Sequence, residues 1–208
     1  MPAAARGLFA SPAETDAAQW VRRKLGTASH ERRVLAIAGR LFDLLGPTLH
    51  LSETDAGLLR LAALTHDVGR CVSEKDHPAR GAAMIEQTTA VDFTPAQRRR
   101  LAFLARYHRG AIPPPHQEEH LGPTDPRGAM RAVLALLRTA DALDHRHLPT
   151  SQLVLSLEGR RLSVRCVVSE DLARARRVYK RPKKYRLLES FLGHAVRINV
   201  DLAEARTV

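Results

Sequence analysis

Helix-start signals recur between Ser11 and Leu143 so regularly that they leave room for little besides short helices joined by short loops. Ser11-Pro12-Ala13-Glu14 combines a capping box with proline at the first helical position and predicts a helix running to about Gly26. Val34, Leu35, Ile37, Ala38, Leu41, Phe42 and Leu45 then repeat at helical spacing until Gly46-Pro47. Ser52 with Asp55 opens a third helix through Leu58, Leu59, Leu61, Ala62 and Leu64, ending near Gly69. Pro78 suits the first turn of a short fourth helix through Met84 and Ile85, and Thr94-Pro95-Ala96-Gln97 opens a fifth that Gly110 closes. After Ile112-Pro113-Pro114-Pro115, a sixth runs from about Pro126 to Leu143, with Met130, Val133, Leu134 and Leu137 on its buried face.

The period then changes from helical to alternating. Leu153, Leu155 and Leu157 alternate with polar neighbours, as do Leu162, Val164, Cys166 and Val168 beyond the turn at Glu158-Gly159-Arg160, which predicts a β-hairpin. Ser169 is placed to cap a basic helix that Pro182 interrupts, and His194 to Leu202 alternates again. The expected fold is mainly α: a helical bundle over residues 1–148 followed by a small α+β unit at 149–208. Internal repeats and low-complexity segments are not evident.

At 208 residues the chain is long enough to bury a core without disulfide staples. Cys71 and Cys166 match neither metal-binding nor redox spacing, which suits a reducing cytoplasm. No segment approaches the ~20 apolar residues of a membrane span, so a soluble cytoplasmic protein is expected. A formal charge of +11 implies attraction to polyanions. Aromatic residues are only 4% of the chain, too few to build a stacking platform, and no nucleic-acid motif is present, so nucleic acid is not an expected partner. The basic tail lacks large apolar residues opposite its charges, which argues against a membrane surface.

Several polar residues fall where helical register demands apolar ones. His30 precedes Val34 by four and Ile37 by seven, His66 follows Ala62 and Leu59 at the same spacings, and His108 follows Leu104 and Leu101. Asp141 follows Leu137 and Leu134, and Asp67 sits beside His66 at a helix end. A lone histidine on an apolar face is more often a hydrogen-bonded core residue than a ligand. Separate helices that each turn an imidazole or carboxylate inward need a common partner, because burying such groups unpaired is costly, and a divalent metal is the economical one.

His30, then His66-Asp67-Val68-Gly69-Arg70, then Asp141 within Thr139-Ala140-Asp141-Ala142-Leu143-Asp144 resembles the H…HD…D signature of the HD superfamily. Arg106-Tyr107-His108-Arg109-Gly110, the proline-rich loop and Leu136 to Asp144 resemble the C-terminal HD-like region of the exopolyphosphatase/guanosine pentaphosphatase (Ppx/GppA) family, and the tail is similar to the small domain that follows it there. The resemblance spans about residues 14 to 202. In that family an actin-like domain carries the catalysis, and nothing in these 208 residues corresponds to it, so the resemblance implies an HD-type bundle and its metal constellation rather than the activity. HD hydrolases with more than one metal add histidines before the last aspartate, which implies ligand roles for His77 and His108 beside His30, His66, Asp67 and Asp141. For His77, a simpler reading is that Asp76-His77-Pro78 only caps the helix that Pro78 begins. His116 and His120 lie in a Pro- and Glu-rich loop and read as solvent-exposed, His145 and His147 as part of the loop leaving the site, and Asp144 as orienting a neighbour.

The expected chemistry is hydrolysis of a phosphate ester or anhydride, nucleotide or polyphosphate, by water that a divalent metal acidifies. Mn²⁺ is the first choice, with Fe²⁺, Co²⁺, Ni²⁺ or Mg²⁺ as alternatives. His66 and Asp67, with Lys75 and Arg109, are the expected catalytic residues, and Arg70, Arg80, Arg109, Lys180, Lys183 and Lys184 the expected phosphate-binding ones. The rival reading is a non-catalytic module that holds polyphosphate or a nucleotide for a separate partner on the basic run from Arg174 to Arg186, although such a run is often only a solvated face. Either reading accommodates a homodimer.

Overall fold

The computed structural model describes residues 11–114, 128–148 and 150–203. The helical part holds α1 (Pro12–Leu25), α2 (Ser29–Leu45), α3 (Glu53–Thr65), α4 (His77–Gln87), α5 (Pro95–Tyr107) and α6 (Ala129–Ala142). Local chemistry sets most of the boundaries. The Ser11 hydroxyl accepts from the Glu14 amide at 3.3 Å, and Gly26 closes α1 with φ 76°. Full capping boxes stand at Ser52/Asp55 and Thr94/Gln97. The third helix ends at Thr65 rather than near Gly69, because a 3₁₀ turn, Val68–Cys71, follows His66 and Asp67. The expected start of the sixth helix near Pro126, together with Pro115, His116 and His120, lies outside the described residues.

Helix α6 is the centre of the bundle, with Val133, Leu134, Ala135, Leu136 and Leu137 all fully buried. It packs against α2, α3 and α5, while α1 lies on α3 and α4 pairs with α5. Each fully buried leucine of this core stabilises the fold by about 1.5–3 kcal/mol. No helix among the described residues is long and apolar enough to cross a membrane.

The tail carries a three-stranded sheet of β1 (Gln152–Glu158), β2 (Arg161–Val168) and β3 (Arg197–Leu202) in the order β1-β2-β3. The hairpin β1–β2 is antiparallel with Leu153 opposite Cys166, and β3 lies parallel to β2 with Ile198 opposite Val164. A parallel return needs a crossover, and α7 (Leu172–Tyr179), a 3₁₀ turn (Pro182–Lys184) and α8 (Arg186–Leu192) supply it. Two boundaries depart from expectation. The cap of α7 is Asp171, whose carboxylate accepts from the Arg174 amide at 2.9 Å, and not Ser169. The strand starts at Arg197, not His194, because the chain leaves α8 only through Gly193 at φ 72°.

The tail is tied to the bundle. Helix α8 packs on α6 and β1 meets α2, while Leu162, Val164, Tyr179, Leu188 and Val200 belong to the same buried cluster as the bundle's core. Both buried tyrosines have hydroxyl partners: Tyr185 donates to the Tyr179 carbonyl at 2.6 Å, and Tyr179 donates to the Leu148 carbonyl in the loop that leaves α6.

Candidate metal centre

Each inward-facing histidine and aspartate sits at or near a helix end, where the backbone can turn two neighbouring residues toward one point. His30 lies in the first turn of α2, His66 and Asp67 follow α3, His77 begins α4, His108 follows α5 and Asp141 is in the last turn of α6. His30 Nε2 is 3.3 Å from Asp141 Oδ1 and 3.8 Å from Asp67 Oδ2. His66 Nε2 is 3.7 Å from both Asp67 Oδ1 and Asp141 Oδ1. His77 Nε2 and His108 Nε2 each lie 3.2 Å from Asp67 Oδ1 and 3.2 Å from one another. Two sets, His30/His66/Asp141 and His66/Asp67/His108, each bring their donor atoms within 4.8 Å of one another, a geometry able to hold a metal ion.

The far side of every ring is already engaged. His30 Nδ1 bonds Asp144 Oδ2 at 2.6 Å, and the Nδ1 atoms of His66, His77 and His108 meet the carbonyls of Ala63, Glu74 and Ala105 at 3.0, 2.7 and 2.7 Å. A carbonyl oxygen only accepts, so the Nδ1 atoms of His66, His77 and His108 carry a hydrogen and their Nε2 atoms are left facing the centre. His30 Nε2, His66 Nε2, Asp67 Oδ1 and Asp141 Oδ1 are all buried without a hydrogen-bond partner. Lone pairs and carboxylate oxygens gathered this closely repel one another unless a proton or a cation stands among them. The donor set fits a divalent transition metal.

Charge reinforces the arrangement. Burial opposes ionisation of Asp67, but His66, His108 and His77 overcome it and hold the carboxyl far below the usual carboxylate range. Burial likewise opposes charge on Asp141, and His30 and His66 outweigh it. At His30 burial favours the neutral ring, yet the Asp141 and Asp144 carboxylates raise it to about 9. His108 is pushed below its ordinary value, chiefly by burial.

The other oxygen of Asp67 is occupied. Its Oδ2 accepts from Arg70 Nε at 2.6 Å and from Arg146 at 2.7 Å, and Arg146 also reaches Glu31 Oε1 at 2.5 Å. Glu31 and Arg146 were not foreseen as part of the site. Glu31 is fully buried and shares the apolar stripe of Val34, Leu35 and Ala38, a register signal of the same kind that exposes His30. Arg146 had no comparable signal, since it lies in an irregular loop.

The expected cations are dispersed. Arg109 stands 3.5 Å from Asp141, and Arg70 is committed to Asp67 and Glu74. Lys75, Arg80, Lys180 and Lys183 are exposed and make no bond to the cluster among the described residues, whereas Lys184 is half-buried. Asp144 faces His30 and Arg33, and His145 and His147 lie in the loop after α6.

A protein of Aeromonas hydrophila named guanosine-5'-triphosphate,3'-diphosphate pyrophosphatase is 33% identical over 108 residues, covering 51% of this chain and 20% of that protein. Its namesake from Aeromonas salmonicida is 37% identical over 76 residues, covering 36% of this chain and 15% of the relative. The match thus spans about a fifth or less of the length of these curated relatives. The family model described as Ppx/GppA phosphatase, domain III, matches residues 26–166, a stretch that holds the whole His/Asp cluster. A match over more than half of its 208 residues makes the chain a member of the Ppx/GppA phosphatase domain III family.

Proposed function

We propose that the chain is a metal-dependent phosphohydrolase acting on a phosphate ester or anhydride, of nucleotide or polyphosphate type. The observation that carries the reading is that four buried atoms, His30 Nε2, His66 Nε2, Asp67 Oδ1 and Asp141 Oδ1, have no hydrogen-bond partner and fall into two close donor sets that share His66. These four residues would hold one divalent ion, and Asp67 with His77 and His108 a neighbouring one. Bound there, a divalent cation would polarise a phosphoryl oxygen and acidify water. The protein's own groups do the rest. The Nδ1 bonds of the four histidines keep Nε2 aimed inward, and Arg70 and Arg146 keep Asp67 Oδ1 turned to the cluster. Arg109, beside Asp141, is placed to neutralise charge that grows on phosphoryl oxygens as the bond to the leaving group breaks. The exposed Lys75 and Arg80 add positive field to the approach.

Mn²⁺ is the ion to test first. Elemental analysis of tag-free protein purified without chelator, beside Asp67→Ala, checks the reading. Stoichiometric transition metal in the wild type, absent from the variant, supports it and justifies a phosphate-release panel. Retained turnover in Asp67→Ala, or a wild type that takes up no Mn²⁺, overturns it.

A second reading is favoured by the exposed basic residues of the tail. The chain would then be a non-catalytic module that holds polyphosphate or a nucleotide for a separately encoded partner, with its tail (149–208), beside the helical unit (1–148), supplying the basic track. A polyphosphate titration across salt concentrations distinguishes it. A steep salt slope supports counterion release from the Arg174–Arg186 run, and no binding at low salt removes it.

A further inference from the structure

The loop that leaves α6 touches the His/Asp cluster at two points. Asp144 Oδ2 bonds His30 Nδ1 at 2.6 Å, and Arg146 Nη2 donates to Asp67 Oδ2 at 2.7 Å and to Glu31 Oε1 at 2.5 Å. His145 to Leu148 form a turn that has Arg146 as its second residue and is closed by the Leu148 amide donating to the His145 carbonyl at 3.1 Å. The His145 amide and the Leu148 carbonyl both go to one further atom. The hydroxyl of Tyr179 accepts from the His145 amide at 3.3 Å and donates to the Leu148 carbonyl. Tyr179 is fully buried and is the last residue of α7, in the tail.

A short turn closed by a single backbone bond opens easily, and a long arginine side chain loses rotamer freedom when it is fixed. Something outside the turn must therefore keep Arg146 on its two carboxylates. A buried tyrosine hydroxyl commonly finds some partner. Here the partners are the two ends of the turn that carries Arg146, so the same hydroxyl sets the span of the turn.

We propose that Tyr179 is a positioning residue of the His/Asp centre. Its hydroxyl spans the His145–Leu148 turn, the turn seats Arg146, and Arg146 holds Asp67 Oδ2 so that Oδ1 faces the histidines. The bundle supplies the ligand atoms, and the tail completes the centre by fixing one of them. The role of a bound ion rests on the phosphohydrolase reading, whereas the contacts from Tyr179 to Asp67 stand without it.

Two readouts on the full chain test the proposal. Tyr179→Phe keeps the ring and loses the hydroxyl. Tyr185→Phe removes another buried hydroxyl, one bonded to the Tyr179 carbonyl rather than to the turn. The first readout needs no metal. Arg146 Nε is buried, so its N–H should exchange slowly with water in a nuclear magnetic resonance spectrum, where its absence from Arg146→Lys identifies it. Tyr179→Phe should speed that exchange by about tenfold or more, and Tyr185→Phe should not. The second readout is Mn²⁺ affinity by titration calorimetry. Tyr179→Phe should bind about tenfold more weakly, the lower end of the effect of removing a group that orients a ligand. Tyr185→Phe should stay within about twofold of wild type. Because Tyr179 acts through Arg146, Tyr179→Phe/Arg146→Lys should bind Mn²⁺ within about twofold of Arg146→Lys alone. Circular dichroism checks that all variants fold. An unprotected Arg146 Nε–H in the wild type, or protection unchanged in Tyr179→Phe, overturns the proposal. Equal Mn²⁺ affinities in Tyr179→Phe and Tyr185→Phe, or additive losses in the double variant, overturn it as well. A wild type that takes up no Mn²⁺ sinks the phosphohydrolase reading alone, and the Arg146 resonance then decides whether Tyr179 seats the arginine.

Discussion

The carboxylate of Asp144 bonds His30 Nδ1 at 2.6 Å through one oxygen and Arg33 Nε at 2.7 Å through the other. Asp144 and His30 lie 114 residues apart, so the ring of His30 is set by the end of α6 rather than by its own helix. The other three histidines of the cluster use carbonyls three residues upstream for the same purpose. Removing Asp144 should therefore loosen one ligand without emptying the site. Asp144→Ala is expected to weaken Mn²⁺ binding by about 10–100-fold, read by titration calorimetry, with the helical circular-dichroism signal retained. Unchanged affinity would exclude an orienting role.

Arg146 connects Asp67 to Glu31, a carboxylate with no solvent exposure. Truncating it strands that buried charge. Arg146→Ala should destabilise the fold by about 3–5 kcal/mol in urea unfolding, more than the loss of a surface ion pair, which is worth about 0–1 kcal/mol. A change of that smaller size would mean that water reaches Glu31.

Gly69 is the point where the turn after His66-Asp67 touches α4. A Cβ there would sit 2.2 Å from the His77 carbonyl oxygen and 2.3 Å from the Gly81 nitrogen, both backbone atoms with no rotamer to yield. Gly69→Ala should push α4 away and take His77 with it. The expected result is a loss of more than about 2 kcal/mol of stability, together with weaker Mn²⁺ uptake. A variant as stable as wild type would contradict this packing.

The two thiols should differ in reactivity. Cys71 is exposed, whereas burial, helped by the Asp201 carboxylate, pushes Cys166 up to about 12. Near pH 8, iodoacetamide should label Cys71 alone in the native protein and both residues in denaturant, as mass spectrometry would read. The linkage runs in the same sense. Between its ordinary value of 9.0 and about 12 the unfolded chain has released a proton that the folded chain keeps, so stability should fall as pH rises through that window. Cys166→Ala should flatten this slope.

Much of the fold was legible because its signals are local. Capping boxes at Ser52 and Thr94 and the apolar periodicity of α2 and α6 act within one or two helical turns, and the inward direction of His30, His66, His108 and Asp141 follows from register alone. Helix α8 was not legible: it has seven residues and no side-chain cap, and it is held by burial of Leu188 and Leu192. Ser169 offers a local cap for α7, but it is the carboxylate of Asp171 that reaches the Arg174 amide.

The sequence by itself determined that imidazoles and carboxylates from separate helices must share one interior, because each interrupts an apolar stripe that has nowhere else to go. Only the tertiary structure decided which atoms meet there. Arg146, one of the two arginines on Asp67 Oδ2, comes from 79 residues away, and the parallel seating of β3 on β2 and the packing of the Pro182–Lys184 turn on α6 join segments that no local pattern connects. Register acts over a turn or two of one helix, whereas these pairings are set by how whole elements pack, and packing depends on side chains far apart in the chain.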